Sequence, residues 1–165
     1  MELSKWFEYQ LRSTLDGFLW AVQQLPKERF YAIPPTALGE WSASQHVLHM
    51  LEYEKDLALP SMHQWLGAPP AVRKDGNENE KQDPPTMEEM LTEFEQVRQA
   101  EIALLSKFGD DKWILNQNTT FWGEASLFWL VSKTYQHTLE HTHDILRLAL
   151  FWDRLLKRMG QEQTK

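Results

Sequence analysis

Hydrophobic residues return at three- and four-residue steps along most of the chain, which is the period of amphipathic helices and not of strands. The first run is Leu3, Phe7, Leu11, Leu15, Phe18, Val22 and Leu25, predicting a helix over 3–25 that Pro26 ends. A loop with Pro34, Pro35 and Gly39 follows. Ser42 and Gln45 have the spacing of a capping box, so a second helix is expected over 42–58, with Pro60 stopping or kinking it. Thr86 and Glu89 repeat the signal and open a third helix that runs to about Phe108. Its expected buried stripe is Met87, Met90, Leu91, Phe94, Val97, Leu104 and Leu105, and Gly109 is its expected cap. Residues 110–123 read as a loop. The fourth helical segment is expected from near Glu124 to Met159, with Gly160 as its stop. So long a run exceeds the usual range, and a break near Leu150 is allowed for.

No segment alternates at period two and no internal repeat is visible. Residues 67–85 hold Pro69, Pro70, Gly76, Pro84 and Pro85 among dense charge, and read as a mobile connection; the Glu-rich run 78–89 reads as a solvated linker. Antiparallel neighbours need only a few linking residues, whereas parallel neighbours need a chain that crosses back. The expected architecture is therefore an all-α four-helix bundle of up-down-down-up order, with its long crossover between helices two and three. One domain over 1–160 and a short tail over 161–165 account for the chain.

Composition narrows the chemistry. A chain of 165 residues buries roughly 70% of its unfolded surface and needs no disulfide staples. With 0 Cys, thiolate ligands, CxxC redox chemistry and a cysteine nucleophile are all excluded, and a reducing compartment is suited. Acidic residues outnumber basic ones, 24 to 17, for a net charge of −7, which argues against a duplex-DNA binder. The apolar stretches are short and broken by charge, the start Met-Glu-Leu-Ser-Lys-Trp has no signal-peptide core, and helix one is polar on its outer face. A cytoplasmic globule with no membrane and no nucleic-acid partner is the expectation.

The histidines carry the strongest chemical signal. Of 6 His, five fall in two short segments, at 46, 49, 137, 141 and 143. Stepped at about 100° per residue, Leu127, Leu130, Val131, Ile145, Leu148 and Ala149 share one face of the last helix. His137 and His141 lie in the middle of that face, one turn apart, and His143 lies well off it. Burying an imidazole without a partner costs about 1–3 kcal/mol, and two protonated neighbours would repel. A divalent cation relieves both problems, because neutral imidazole nitrogen is a good ligand. The alternative is a pair of core histidines bonded to backbone carbonyls or hydroxyls. Helix two offers His46 and His49 as a third ligand. On the helical wheel His46 lies nearer the Val47/Met50/Leu51 stripe, so periodicity leans towards His46 and leaves His49 open.

Other motifs carry less. His137-Thr138-Leu139-Glu140-His141 matches H-x-x-E-H, but that metalloprotease pattern needs a further carboxylate ligand, and the only later Glu is Glu162, in the tail. Glu140 stays as a weak catalytic candidate at the edge of a metal site. Glu140 and His143 match E-x-x-H, but no second such pair exists. Trp6, Trp20, Trp129 and Trp152 fall in helices and read as core or bundle edge. Trp113, Phe121 and Trp122 lie in or beside the loop before the last helix and are candidate walls of a pocket at one end of the bundle.

Trp41-Ser42 with His49 eight residues after the Trp resembles the W-S-x(6)-H pattern of the DinB/YfiT-like (damage-inducible) family. The segment Gln136-His137-Thr138-Leu139-Glu140-His141-Thr142 is similar to that family's closing H-x-x-x-H. The resemblance covers nearly the whole chain in helix order and spacing. It implies three histidines around a divalent ion, zinc or nickel, near one end of an up-down-down-up bundle. It also puts His49, and not His46, beside His137 and His141. Relatives include metal-dependent transferases and isomerases that use low-molecular-weight thiols such as bacillithiol or mycothiol, proteins assigned as hydrolases, and many homodimers. The expectation is a metal-dependent thiol S-transferase acting on a small electrophile. A metal-dependent hydrolase, a non-enzymatic metal-binding or stress-response module, and a metal-free bundle are the alternatives. No thiol-binding signature is visible in the sequence.

Overall fold

The computed structural model describes residues 2–72 and 84–162. Residues 73–83, which hold Gly76 and most of the expected mobile connection, lie outside the described residues, as do the last residues of the tail.

Helix α1 spans Leu3–Gln23, two residues shorter than its apolar period suggests, because Leu25 N–H bonds back to Val22 O (3.1 Å) in a closing turn. Helix α2 spans Ala43–Glu52 and opens on the expected capping box: Gln45 N–H donates to Ser42 Oγ (3.3 Å) and Ser42 N–H to Gln45 Oε1 (2.8 Å). The helical path does not stop at Pro60. It passes through a π-helical turn, Tyr53–Ala58, into α3, Leu59–Met62, and a 3-10 turn, His63–Leu66. The π turn restarts the hydrogen-bond ladder, so Pro60 falls in the first turn of α3, where a missing N–H removes no bond. Gly67, at φ 89°, ends the path.

Helix α4 spans Met87–Leu105 behind the Thr86–Glu89 capping box. It ends three residues before Phe108. Gly109 is extended (φ −70°, ψ 163°) and caps the start of the next turn, α5, Asp110–Trp113, instead of the end of α4. The expected loop over 110–123 holds that turn and then a two-stranded antiparallel hairpin, β1 Asn116–Thr119 with β2 Gly123–Ser126. Helix α6 runs unbroken from Leu127 to Glu162. Neither Leu150 nor Gly160 interrupts it. A helical glycine costs only about 1 kcal/mol, and Gly160 is not among the glycines at positive φ.

Helix α1 packs against α4 and α6, and α2 packs against the same two. Their directions follow from who meets whom. Ser4 Oγ donates to Phe108 O (3.3 Å) and Met87 N–H to Tyr31 Oη (2.7 Å), so α1 and α4 run antiparallel. Phe7 meets Phe128, and Arg29 meets Asp153, so α1 and α6 run parallel. His46 meets His141 and His49 meets His137, so α2 opposes α6. The result is the expected all-α bundle in up-down-down-up order.

Two apolar clusters fill it. One centres on Phe18, Met50, Phe94 and Ile145, the other on Phe7, Leu11, Met62 and Trp113. Between them lies a set of buried charges that the apolar stripe did not announce. Glu54, Arg98 and Glu101 are all 0% exposed. Arg98 donates from Nε to Glu54 Oε2 (3.0 Å), from Nη1 to Thr14 Oγ1 (3.3 Å) and from Nη2 to Thr138 Oγ1 (2.6 Å). Arg98 Nη2 also donates to Glu54 Oε1, and Arg98 Nε lies 3.4 Å from Glu101 Oε2. Burial, and then the neighbouring Glu54 carboxylate, push the Glu101 carboxyl well above its ordinary range. Burial raises the Glu54 carboxyl as well, though Arg98 opposes it there, so both shifts favour a proton within the pair, more strongly on Glu101.

Candidate metal centre

Helices α2 and α6 pass side by side in opposite directions, so residues one turn apart on each form facing rows. His46 and His49 on α2 face His141 and His137 on α6. His137 and His141 are each 9% exposed, His46 is 8% exposed, and His49 is half-buried. Three Nε2 atoms converge: His49 to His137 at 3.2 Å and His141 to His137 at 3.1 Å. The ligating atoms of these three residues all lie within 4.8 Å of one another. For metal–nitrogen bonds of 2.0–2.1 Å, neighbouring nitrogens lie about 2.8–3.0 Å apart in octahedral and about 3.3–3.4 Å apart in tetrahedral geometry. The observed spacings fall between the two.

Each neutral ring has one bare nitrogen and one N–H. His137 Nε2 has two imidazole nitrogens at hydrogen-bond distance, and its Nδ1 is buried with no partner among the described residues. Neither tautomer of His137 satisfies this surrounding. With its proton on Nδ1, a buried donor is orphaned; with its proton on Nε2, one proton faces two acceptors. A cation at the meeting point of the three Nε2 atoms uses all three lone pairs together. The donor set fits a divalent ion of the zinc or nickel class.

The protonation states agree with that chemistry. Burial, reinforced by the neighbouring imidazoles, lowers His141 to about 3 and His137 to about 4. Burial also lowers His46. His137 and His141 are therefore neutral at pH 7, as ligation requires.

Aromatic rings close the cluster. Trp41 is stacked on His141 (5.9 Å, 10°) and lies edge-on to His46 and His49. Tyr53 presses edge-on to His137 at 4.4 Å. Burial drives the Tyr53 phenol up, so it stays protonated. A cleft of about 510 Å³ opens beside His49 and is lined also by Glu52, Tyr53, Asp56, Phe121 and Trp122.

Of the three aromatic residues expected at a pocket, Phe121 and Trp122 line this cleft and Trp113 does not. Trp113 is 0% exposed and stacked on Phe7 (5.1 Å, 11°), because the single turn of α5 swings it into the core. Its indole N–H donates to Ser4 Oγ at 3.3 Å. Glu140 also lies away from the cluster: it is exposed and accepts from Gln136 Nε2 at 2.9 Å. One residue before His141 is a rotation of about 100°, which turns Glu140 to the outside. His143 is exposed beside Asp144. Glu52, Tyr53 and Asp56 were not singled out in the sequence. Tyr53 and Asp56 fall within the π turn, whose extra residue per turn breaks the helical period.

No curated protein matches the chain. The family model of the DinB superfamily matches residues 10–145, a span that takes in α2 and α4, most of α1, the first half of α6 and every histidine of the cluster. The chain belongs to the DinB superfamily.

Proposed function

We propose that this protein is a metal-dependent enzyme of thiol S-transferase type, with His49, His137 and His141 holding a zinc or nickel ion and a small electrophile bound in the adjoining cleft. The convergence of three Nε2 atoms at 3.1–3.2 Å beside an open cleft carries this reading. When bound, such an ion makes a thiol that shares it easier to deprotonate near neutral pH, the task a catalytic cysteine performs elsewhere. His49 borders both the cluster and the cleft, so the chain brings a bound substrate next to the histidines. Phe121, Trp122 and Tyr53 supply apolar faces for the body of the substrate. Trp41 packs on the His141 ring and helps to fix its orientation. The net reaction joins the thiol sulfur to the electrophilic carbon, expels that carbon's leaving group with its electron pair, and releases the thiol proton to solvent.

The site geometry favours an enzyme over a sealed structural site because one side of the cluster faces a volume large enough for a small molecule. The cytoplasmic homodimer belongs to the same reading and rests on the family likeness. The experiment is turnover of low-molecular-weight thiols with chlorodinitrobenzene and epoxide electrophiles, using metal-loaded protein, metal-stripped protein and His137→Ala. Turnover that needs both the ion and His137 supports the proposal. Equal rates in all three preparations refute it.

A further inference from the structure

The fourth histidine of the cluster stands in a different relation to its neighbours. His46 Nδ1 lies 2.8 Å from His141 Nδ1, on the face of the His141 ring opposite His49 and His137. That separation is a direct nitrogen–nitrogen hydrogen bond, and it is shorter than the 3.1–3.2 Å spacings among the three Nε2 atoms. One proton fits between the two Nδ1 atoms. Its owner decides what the far side of His141 can do. If His46 owns it, His141 carries its own proton on Nε2, aimed at the other two histidines. If His141 owns it, His141 Nε2 is a bare lone pair pointing at the meeting point.

On the metal reading above, we infer that His46 is a positioning residue, accepting the Nδ1–H of His141 and so keeping the Nε2 lone pair of His141 turned toward His49 and His137. Ligating histidines are held this way by an acceptor on their second nitrogen, which fixes both tautomer and ring orientation. His46 is fixed for the task. It is buried within the first turn of α2, its backbone N–H bonds to Ser42 O (3.2 Å), and the Trp41 ring packs edge-on against it at 5.3 Å.

A second cation held by His46, His141 and Asp144 is the competing arrangement, since their ligating atoms also lie within 4.8 Å of one another. Two observations disfavour it. The 2.8 Å contact is a hydrogen-bond length and is shorter than the roughly 3.3 Å between two donors on a tetrahedral zinc ion. Asp144 already has a cation, with Arg147 Nη1 at 3.5 Å from its Oδ1.

The test is zinc affinity, measured by competition with a chelating dye, for the wild type, His46→Leu, His46→Asn and His49→Ala. Circular dichroism of the metal-free proteins checks their folding. Loss of the acceptor in His46→Leu is expected to weaken zinc 10–100-fold while stoichiometry stays at one ion per chain. His46→Asn, which returns an acceptor near the same place, is expected to recover most of that loss, and His49→Ala to lose more. Long-range proton–nitrogen spectra of zinc-loaded wild type supply a readout that needs no variant, and are expected to show His141 protonated at Nδ1. Unchanged affinity in His46→Leu, no recovery in His46→Asn, two zinc ions per chain, or an unprotonated His141 Nδ1 each overturns the positioning role. A wild type that takes up no zinc instead overturns the metal reading on which it rests.

Discussion

Arg98 and His137 both sit inside an apolar bundle, within reach of neighbouring turns of α2 and α6, yet their surroundings are built on opposite principles. Around Arg98 the cluster carries its own cation: the guanidinium donates to Glu54 and to two threonine hydroxyls and lies against Glu101, whose oxygens make no hydrogen bond of their own among the described residues. Around His137 the partners are other imidazoles. Their nitrogens face one another, the buried Nδ1 of His137 has no partner among the described residues, and His49 borders a cleft. A buried polar cluster that neutralises itself ties helices together, while one that is short of positive charge is built to receive it. The two also respond to pH in opposite directions.

Removing the central member of each cluster separates them most sharply. Arg98→Met leaves Glu54 and Glu101 buried without their cation, and is expected to destabilise the protein by about 3–5 kcal/mol in urea unfolding. His137→Ala is expected to leave the metal-free fold close to wild type, because it relieves an unsatisfied group, but to weaken metal binding more than about a hundredfold. Comparable stability losses in both variants would erase the distinction.

Acid sharpens the contrast further. In metal-free protein, His137 and His141 are held below the ordinary 6.5, at about 4 and about 3. Between pH 6.5 and 4 the unfolded chain binds more protons than the folded one, so stability is expected to fall as pH falls through this window. Glu101 has the opposite sign. Its folded carboxyl is raised, so its contribution is complete below the ordinary carboxyl value of 4.5 and is lost as pH rises towards the folded value. Unfolding midpoints against pH, for wild type and the double variant His137→Ala/His141→Ala, check the first slope. The double variant should lose less stability in acid.

The smallest effect is expected from Glu101→Gln. An amide of the same shape replaces a carboxyl whose protonated form the fold favours, so stability near neutral pH should change by no more than about 1 kcal/mol, while the alkaline slope flattens. A loss as large as that of Arg98→Met would mean that Glu101 is ionised in the fold.

Local signals in the sequence were legible, and those set by neighbouring segments were not. The capping boxes at Ser42 and Thr86 and the apolar periods need only a few adjacent residues, and both starts fall where expected. The shared face of His137 and His141 followed from period alone. The different places of His46 and His49 did not, because the wheel ranks positions by burial: His46 is the more buried and meets His141, while the half-buried His49 meets His137. The hairpin at 116–126 escaped because Asn116, Gln117 and Asn118 show no apolar alternation. Arg98 and Glu101 continue the stripe of α4 from Phe94 to Leu105 in perfect helical phase. Charge at those two positions was the available sign of a buried network.

X-ray absorption on metal-loaded protein, with the metal counted per chain, tests the central claim most directly. One divalent ion per chain, three imidazole ligands and at least one exchangeable light-atom ligand are expected, with one imidazole lost in His137→Ala. A wild type that retains no ion, or a spectrum that His137→Ala leaves unchanged, would contradict it.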